Sequence, residues 1–126
     1  MAAPNIVNVA TITGITTWKA GINTETSGVS VIVTNAASSG KVLKVNSLVA
    51  TSIGTTTGVT TKIFNKAAGV GNSVSLGSTM SVPTYSSLAV ISKEMSIYLQ
   101  ENQSIGVFKQ SNAGNIDVVC SYEDIS

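Results

Sequence analysis

Apolar residues in this chain recur at every second position, in short runs separated by Gly, Asn and Ser. That periodicity admits β-strands and leaves no room for a sustained helix. The clearest run is Lys41–Ala50, where Leu43, Val45, Ser47 and Val49 are expected on one face and Lys44, Asn46 and Leu48 on the other. Val59–Phe64 alternates too, with Val59, Thr61 and Ile63 set against Thr60, Lys62 and Phe64. Register is a hard constraint in such segments, since a slip of one residue exchanges the two faces.

Further strands are expected at Ile6–Thr13, closed by Gly14, with Ile15–Trp18 continuing after a bend, and at Val29–Thr34. Asn35–Gly40 reads as a turn, Ser52–Gly58 and Ala67–Asn72 as loops. Val74–Leu76 and Thr79–Val82 read as two short edge segments, the second stopped by Pro83, which cannot donate to a ladder. Leu88–Ile91 and Ser96–Leu99 flank a charged turn, Ser92–Glu94. Ile105–Phe108 and Ile116–Tyr122 complete the set, the last followed by an acidic tail at Glu123–Asp124. The expected fold is all-β: one domain spanning 1–126, a β-sandwich or jelly-roll-like barrel of about eight to ten short antiparallel strands, with a short flexible N-terminal arm at about 1–5.

The residues that most catalysts rely on are scarce. There is no His and no Arg, one Cys, and six carboxylates among 126 residues, while Ser and Thr fill roughly a quarter of the chain. Catalytic acids, bases and nucleophiles need pKa values tuned by close partners, and the few charges here are scattered. The expectation is a protein that is no enzyme and uses no cofactor. Glu94 and Glu101 do not suggest a glycosidase pair, and Glu123–Asp124 with Asp117 falls short of a metal ligand set. Gly69–Val70–Gly71 lacks the Lys–Ser/Thr pair and following helix of a phosphate loop. Cys120 alternates with Ile116, Val118 and Tyr122 and reads as a buried small hydrophobe.

Charge narrows the partners. The net charge is +1, with no Lys run and no Arg to grip phosphate, so nucleic acid is not an expected partner. No stretch reaches the ~20 apolar residues of a membrane-spanning helix, and the first thirteen residues lack the basic start of a signal peptide. Only 10% of residues are charged, against ~25% in an ordinary domain. Such a surface is solvated by hydroxyls and amides, or covered by neighbours. Trp18, the single Trp, is either a plug over one end of the core or an exposed interface anchor. Tyr85, Tyr98 and Tyr122 are too far apart in sequence to suggest a shared sugar-stacking platform.

Four blocks carry a resemblance. They are Lys41–Ser47 (K-V-x-K-V-N-S), Thr79–Pro83 (ending S-V-P), Ile97–Ile105 (I-Y-L-x-E-x-x-S-I) and Ser121–Ser126 (S-Y-E-x-I-S). Together they resemble short β-rich virion structural proteins, capsid-decoration-like, of tailed marine and cyanobacterial phages. The resemblance covers about 41–126, with the opening residues also similar, while 15–30 lie outside it. It implies a place in a virion, synthesis in the host cytoplasm, and partnership with the major capsid protein or other virion proteins. It also implies a homo-oligomer, with a trimer favoured. A tail, collar or fibre component acting as a carbohydrate-binding or adhesive module is the alternative. Pro4, Ile6 and Val7 in the N-terminal arm, together with Trp18, are the expected interface residues.

Overall fold

The computed structural model describes residues 11–24, 28–110 and 114–126. Among them are nine strands: β1 (Ile12–Lys19), β2 (Ser30–Asn35), β3 (Val42–Ile53), β4 (Thr57–Phe64), β5 (Ser73–Val82), β6 (Ser87–Ile91), β7 (Ile97–Leu99), β8 (Gln103–Lys109) and β9 (Asn115–Ile125). Single 3-10 turns sit at Ala67–Gly69 and Lys93–Met95.

The strands form two antiparallel sheets, in the orders β1-β9-β3-β6 and β2-β8-β4-β5, with β7 also paired to β3. The pairs are nested: β1 with β9, β2 with β8, β3 with β6 and β7, β4 with β5. A chain paired first-to-last in this way is one long hairpin. Rolling it up brings β9 against β3 and β8 against β4, which is the strand order of a jelly roll. The result is a two-sheet sandwich that does not close into a barrel.

The two inner faces supply the core: Leu43, Val45, Leu48 and Ala50 from β3, Ile116, Val118 and Cys120 from β9, Val59 from β4, Ile105 and Val107 from β8. β-Branched side chains suit this position because they pack well on a pleated surface. One end of the sandwich is stitched by main-chain bonds: Ile22 N–H to Ile116 O at 2.9 Å and Lys109 N–H to Asn23 O at 2.9 Å. Ile22 is itself buried in the core.

The structure departs from the expected strand faces at Asn46. The β3–β9 register runs Val45↔Tyr122 and then Ser47↔Ser121, so Asn46 has no partner across the ladder. That bulge turns the rest of the strand over. Leu43 and Val45 point inward as expected, but beyond the bulge it is Leu48 and Ala50 that enter the core, and Ser47 and Val49 turn outward. On β4 the assigned face mostly holds: Val59 and Ile63 meet the core. Phe64 is nonetheless buried, on the outer side, where Val29 and the Phe64 ring lie directly above Gly106.

Three further boundaries differ. β1 runs through Gly14 without a break; the part of the expected first strand before Thr11 lies outside the described residues. The two edge segments are one strand, β5, with two register shifts, one at Leu76 between Lys62↔Ser75 and Thr61↔Gly77 and one between Thr61↔Gly77 and Val59↔Met80. There Met80 folds over Gly77, which has no Cβ to obstruct it, and Thr79 at φ 50° is held by its N–H bond to Thr60 Oγ1 at 2.9 Å. Glu123 and Asp124 are no tail. They belong to β9 and pair with Lys44 and Lys41 at 4.0 and 2.9 Å.

Candidate interaction face

The outer face of the five-stranded sheet is built from rows of directly opposed residues. Trp18 on β1 faces Val119 on β9, Val119 faces Val49 on β3, and Val49 faces Ala89 on β6. These four make an uninterrupted apolar row across four strands. Trp18 is 70% exposed and Val119 45% exposed, so the row is open to solvent. A shallow hollow beside it is lined by Trp18, Lys19, Ala20, Asp117 and Val119.

Hydroxyls flank the row. On one side lie Thr16, Ser121 and Ser47, opposed in turn. On the other lie Asp117, Thr51 and Ser87, with Thr51 and Ser87 sharing a hydroxyl bond of 2.8 Å. Asp117 Oδ1 accepts the Gly21 N–H at 2.9 Å, which partly neutralises its demand for donors. Charge gathers at the far end of the sheet, where Glu123, Lys44 and Tyr98 are opposed. The centre of the face is thus apolar, its flanks are hydroxyl-rich with the single carboxylate of Asp117, and one end is charged, a layering like that of a protein-binding surface.

Of the expected interface residues, Trp18 is on this face and points outward; the core-plug alternative does not describe it. Pro4, Ile6 and Val7 lie outside the described residues. The Tyr residues do not converge: Tyr85 is 77% exposed in the β5–β6 turn, Tyr98 lies in the charged row, and Tyr122 lines a polar recess with Thr34, Asn35, Lys41 and Asp124.

Other candidates are absorbed by the fold. Cys120 is fully buried, and desolvation pushes its thiol up to about 12, leaving it in the inert protonated form. The amides leading into Gly69–Val70–Gly71 are already engaged within the protein. Ala67, Ala68 and Gly69 donate their N–H groups to Asn102 Oδ1, Thr34 Oγ1 and Ser104 Oγ at 3.0, 2.9 and 2.9 Å. Glu101 Oε2 accepts the Gly40 N–H at 3.1 Å, clamping two turns together. Glu94 sits in the Lys93–Met95 turn. Among the described residues, no three His, Cys, Asp or Glu side chains group as a metal site would need.

Val119, Val49 and Ala89 were not legible as functional residues. They come from three strands far apart in sequence, and the Asn46 bulge places Val49 on the face opposite to the one its alternation suggested. Comparison with protein-family models, with curated proteins and with solved structures finds no match to this chain.

Proposed function

We propose that this protein is a non-enzymatic virion structural component, a decoration or cement protein that lies on an assembled capsid. The observation that carries the reading is the exposed Trp18–Val119–Val49–Ala89 row, bordered by hydroxyl-bearing residues, on the outer sheet face. A flat strand face with an aromatic anchor and a hydroxyl rim suits docking on another protein, because apolar and aromatic side chains dominate binding energy while polar rims exclude water. Jelly-roll sandwiches are also a common architecture of capsid proteins, an analogy of fold alone. The resemblance of the 41–126 blocks points the same way, and repetition over a symmetric shell would multiply a modest single contact by avidity.

The test is to mix purified protein with undecorated phage shells, pellet them and image the particles. Regular extra density with the Trp18 face against the shell is expected. Trp18→Ala, which removes the anchor without touching the core, is expected to leave the protein in the supernatant. Wild-type protein that fails to pellet would end the proposal.

One observation favours a second reading. Trp18 borders a hollow that also contains Asp117, and an exposed indole next to a carboxylate is a workable platform for a sugar ring, as in an adhesive module of a tail or fibre. Quenching of Trp18 fluorescence by host polysaccharide, with no binding to shells, would favour it.

A further inference from the structure

The turn from β5 to β6 closes with the Ser86 N–H donated to Pro83 O at 3.0 Å, which puts Tyr85 at its third position with φ 54°. A turn that needs a left-handed residue there ordinarily takes Gly or Asn, because a Cβ is crowded in that conformation. A bulky side chain held so is a strained exception. Among the described residues, Ser38, Ala68, Thr79 and Asn102 also have positive φ, and none of them is aromatic. Ala68, Thr79 and Asn102 each donate their N–H at 2.9 Å, to Thr34 Oγ1, Thr60 Oγ1 and Asn35 O. Tyr85 has no hydrogen bond to any described residue and is 77% exposed. The fold gains little from the ring that strains it.

The backbone around it is nonetheless firmly held. Thr84 donates its N–H to Thr56 Oγ1 at 3.1 Å, Ser86 Oγ donates to Thr84 O at 3.3 Å, and Ser52 N–H bonds Ser86 O at 2.9 Å. An exposed aromatic side chain on a fixed turn has little freedom left to lose on binding, the condition that favours an anchor.

The Ser52–Ser86 bond also places the turn against the face described above. Ile53 follows Ser52 on β3, and Tyr85 precedes Ser86. Ile53 alternates with Val49 and Thr51 on the outer side of the sheet and is 49% exposed. Beyond the hydroxyl row of Thr51 and Ser87, the Trp18 face therefore ends at a second site of exposed large side chains. Val49 and Ile53 are four residues apart, about 13 Å along a strand. A standard interface covers about 800 Å² of each partner, wide enough for one partner to span both.

We infer that Tyr85 is a second anchor for the assembled shell, docking with Ile53 on the same protein surface that receives Trp18. The inference rests on the capsid reading and extends it, adding a residue of the β5–β6 turn to the apolar row. The strain at Tyr85 then has a purpose outside the fold: Asn would suit the turn better, but only an aromatic side chain supplies the contact.

The test titrates the full chain against undecorated phage shells and measures the bound fraction by sedimentation. Tyr85→Asn accepts the left-handed conformation, so its thermal midpoint is expected to equal or exceed that of the wild type. Its affinity for shells is expected to fall about thirtyfold. Nitration by tetranitromethane supplies a measurement free of variants: Tyr85 should react readily in the free protein and be protected on shells. A wild type that leaves the shells bare would sink the capsid reading and this inference together. Where the wild type binds, undiminished binding by Tyr85→Asn, or equal nitration of Tyr85 free and bound, would overturn the inference alone. A Tyr85→Asn protein less stable than the wild type would also overturn it, by showing that the ring serves its own fold.

Discussion

Lys41 Nζ lies 2.9 Å from Asp124 Oδ2, tying the residue that leads into β3 to the penultimate residue of β9. The hydrogen bond to Asp124 and its negative charge raise the Lys41 pKa above its ordinary value of 10.5. Beside it, Tyr122 is raised above 10.0, first by burial and then by the Asp124 charge.

Alkali should therefore destabilise the fold. Lys41, Tyr122 and Cys120 all hold their protons more tightly in the folded state than in the unfolded chain. Their contribution is fully present below the unfolded pKa values and is lost as pH rises through the raised folded ones. Cys120 opens the window at 9.0 and closes it at about 12. Raising the thiol from 9.0 to about 12 corresponds to a loss on the order of 4 kcal/mol across that range. Denaturant titrations should show constant stability from neutrality to pH 9 and a decline beyond it. Cys120→Ala should be less stable at neutral pH but lose less between pH 9 and 12; an unchanged slope would remove Cys120 from the account.

The bulge at Asn46 makes Leu48 and Val49 a paired test. Leu48 is fully buried, and Leu48→Ala should cost about 2–5 kcal/mol. Val49 points outward, and Val49→Ser should shift stability by no more than about 0.5 kcal/mol. The opposite ranking in urea unfolding would mean that β3 runs through Asn46 without turning over. Deleting Asn46 should leave Leu48 and Ala50 facing the core, since it removes only the residue without a ladder partner and makes Val45 and Ser47 consecutive opposite Tyr122 and Ser121.

Gly106 should tolerate no side chain. A Cβ there would lie 2.5 Å from Val29 Cγ2 and 3.2 Å from Phe64 Cε1. Gly106→Ala is expected to destabilise by about 1–3 kcal/mol through this overpacking, with a matching drop in thermal midpoint. A neutral result would show that Val29 and Phe64 can move aside.

Trp18 should behave as a solvated indole. Its emission is expected to resemble that of free tryptophan and to be quenched readily by acrylamide in the native state. Trp18→Ala should leave unfolding stability within about 0.5 kcal/mol of wild type while abolishing sedimentation with shells. A blue-shifted, protected emission would contradict the exposed position.

Much of the fold was legible because two signals agreed. Lys41–Ala50 alternated, Asn35–Gly40 was rich in turn formers, and Cys120 shared its parity with Ile116 and Val118, all of which are buried. What alternation could not reveal was an extra residue inside a strand. Asn46 is as compatible with a regular pleat as with a bulge, and only the pairing with β9 decides. Glu123 and Asp124 looked like a solvated end for a similar reason, because their Lys partners are some eighty residues away. The interaction face was hidden most completely. Trp18 alone could be read as plug or anchor, and its apolar neighbours arrive from β9, β3 and β6 only once the roll is complete.

The nesting of β1 with β9 also dictates when the core can exist during synthesis. The innermost hairpin, β4–β5, can close as soon as it leaves the ribosome, but β9 is the central strand between β1 and β3 and carries Ile116, Val118 and Cys120 into the core. Until β9 emerges, the edges of β1 and β3 that it pairs stay open and its three core side chains are missing. Such a chain gains little by folding piecemeal as it is made. It should wait largely open and then consolidate in one late step, during which chaperone capture or aggregation competes most strongly with the native fold.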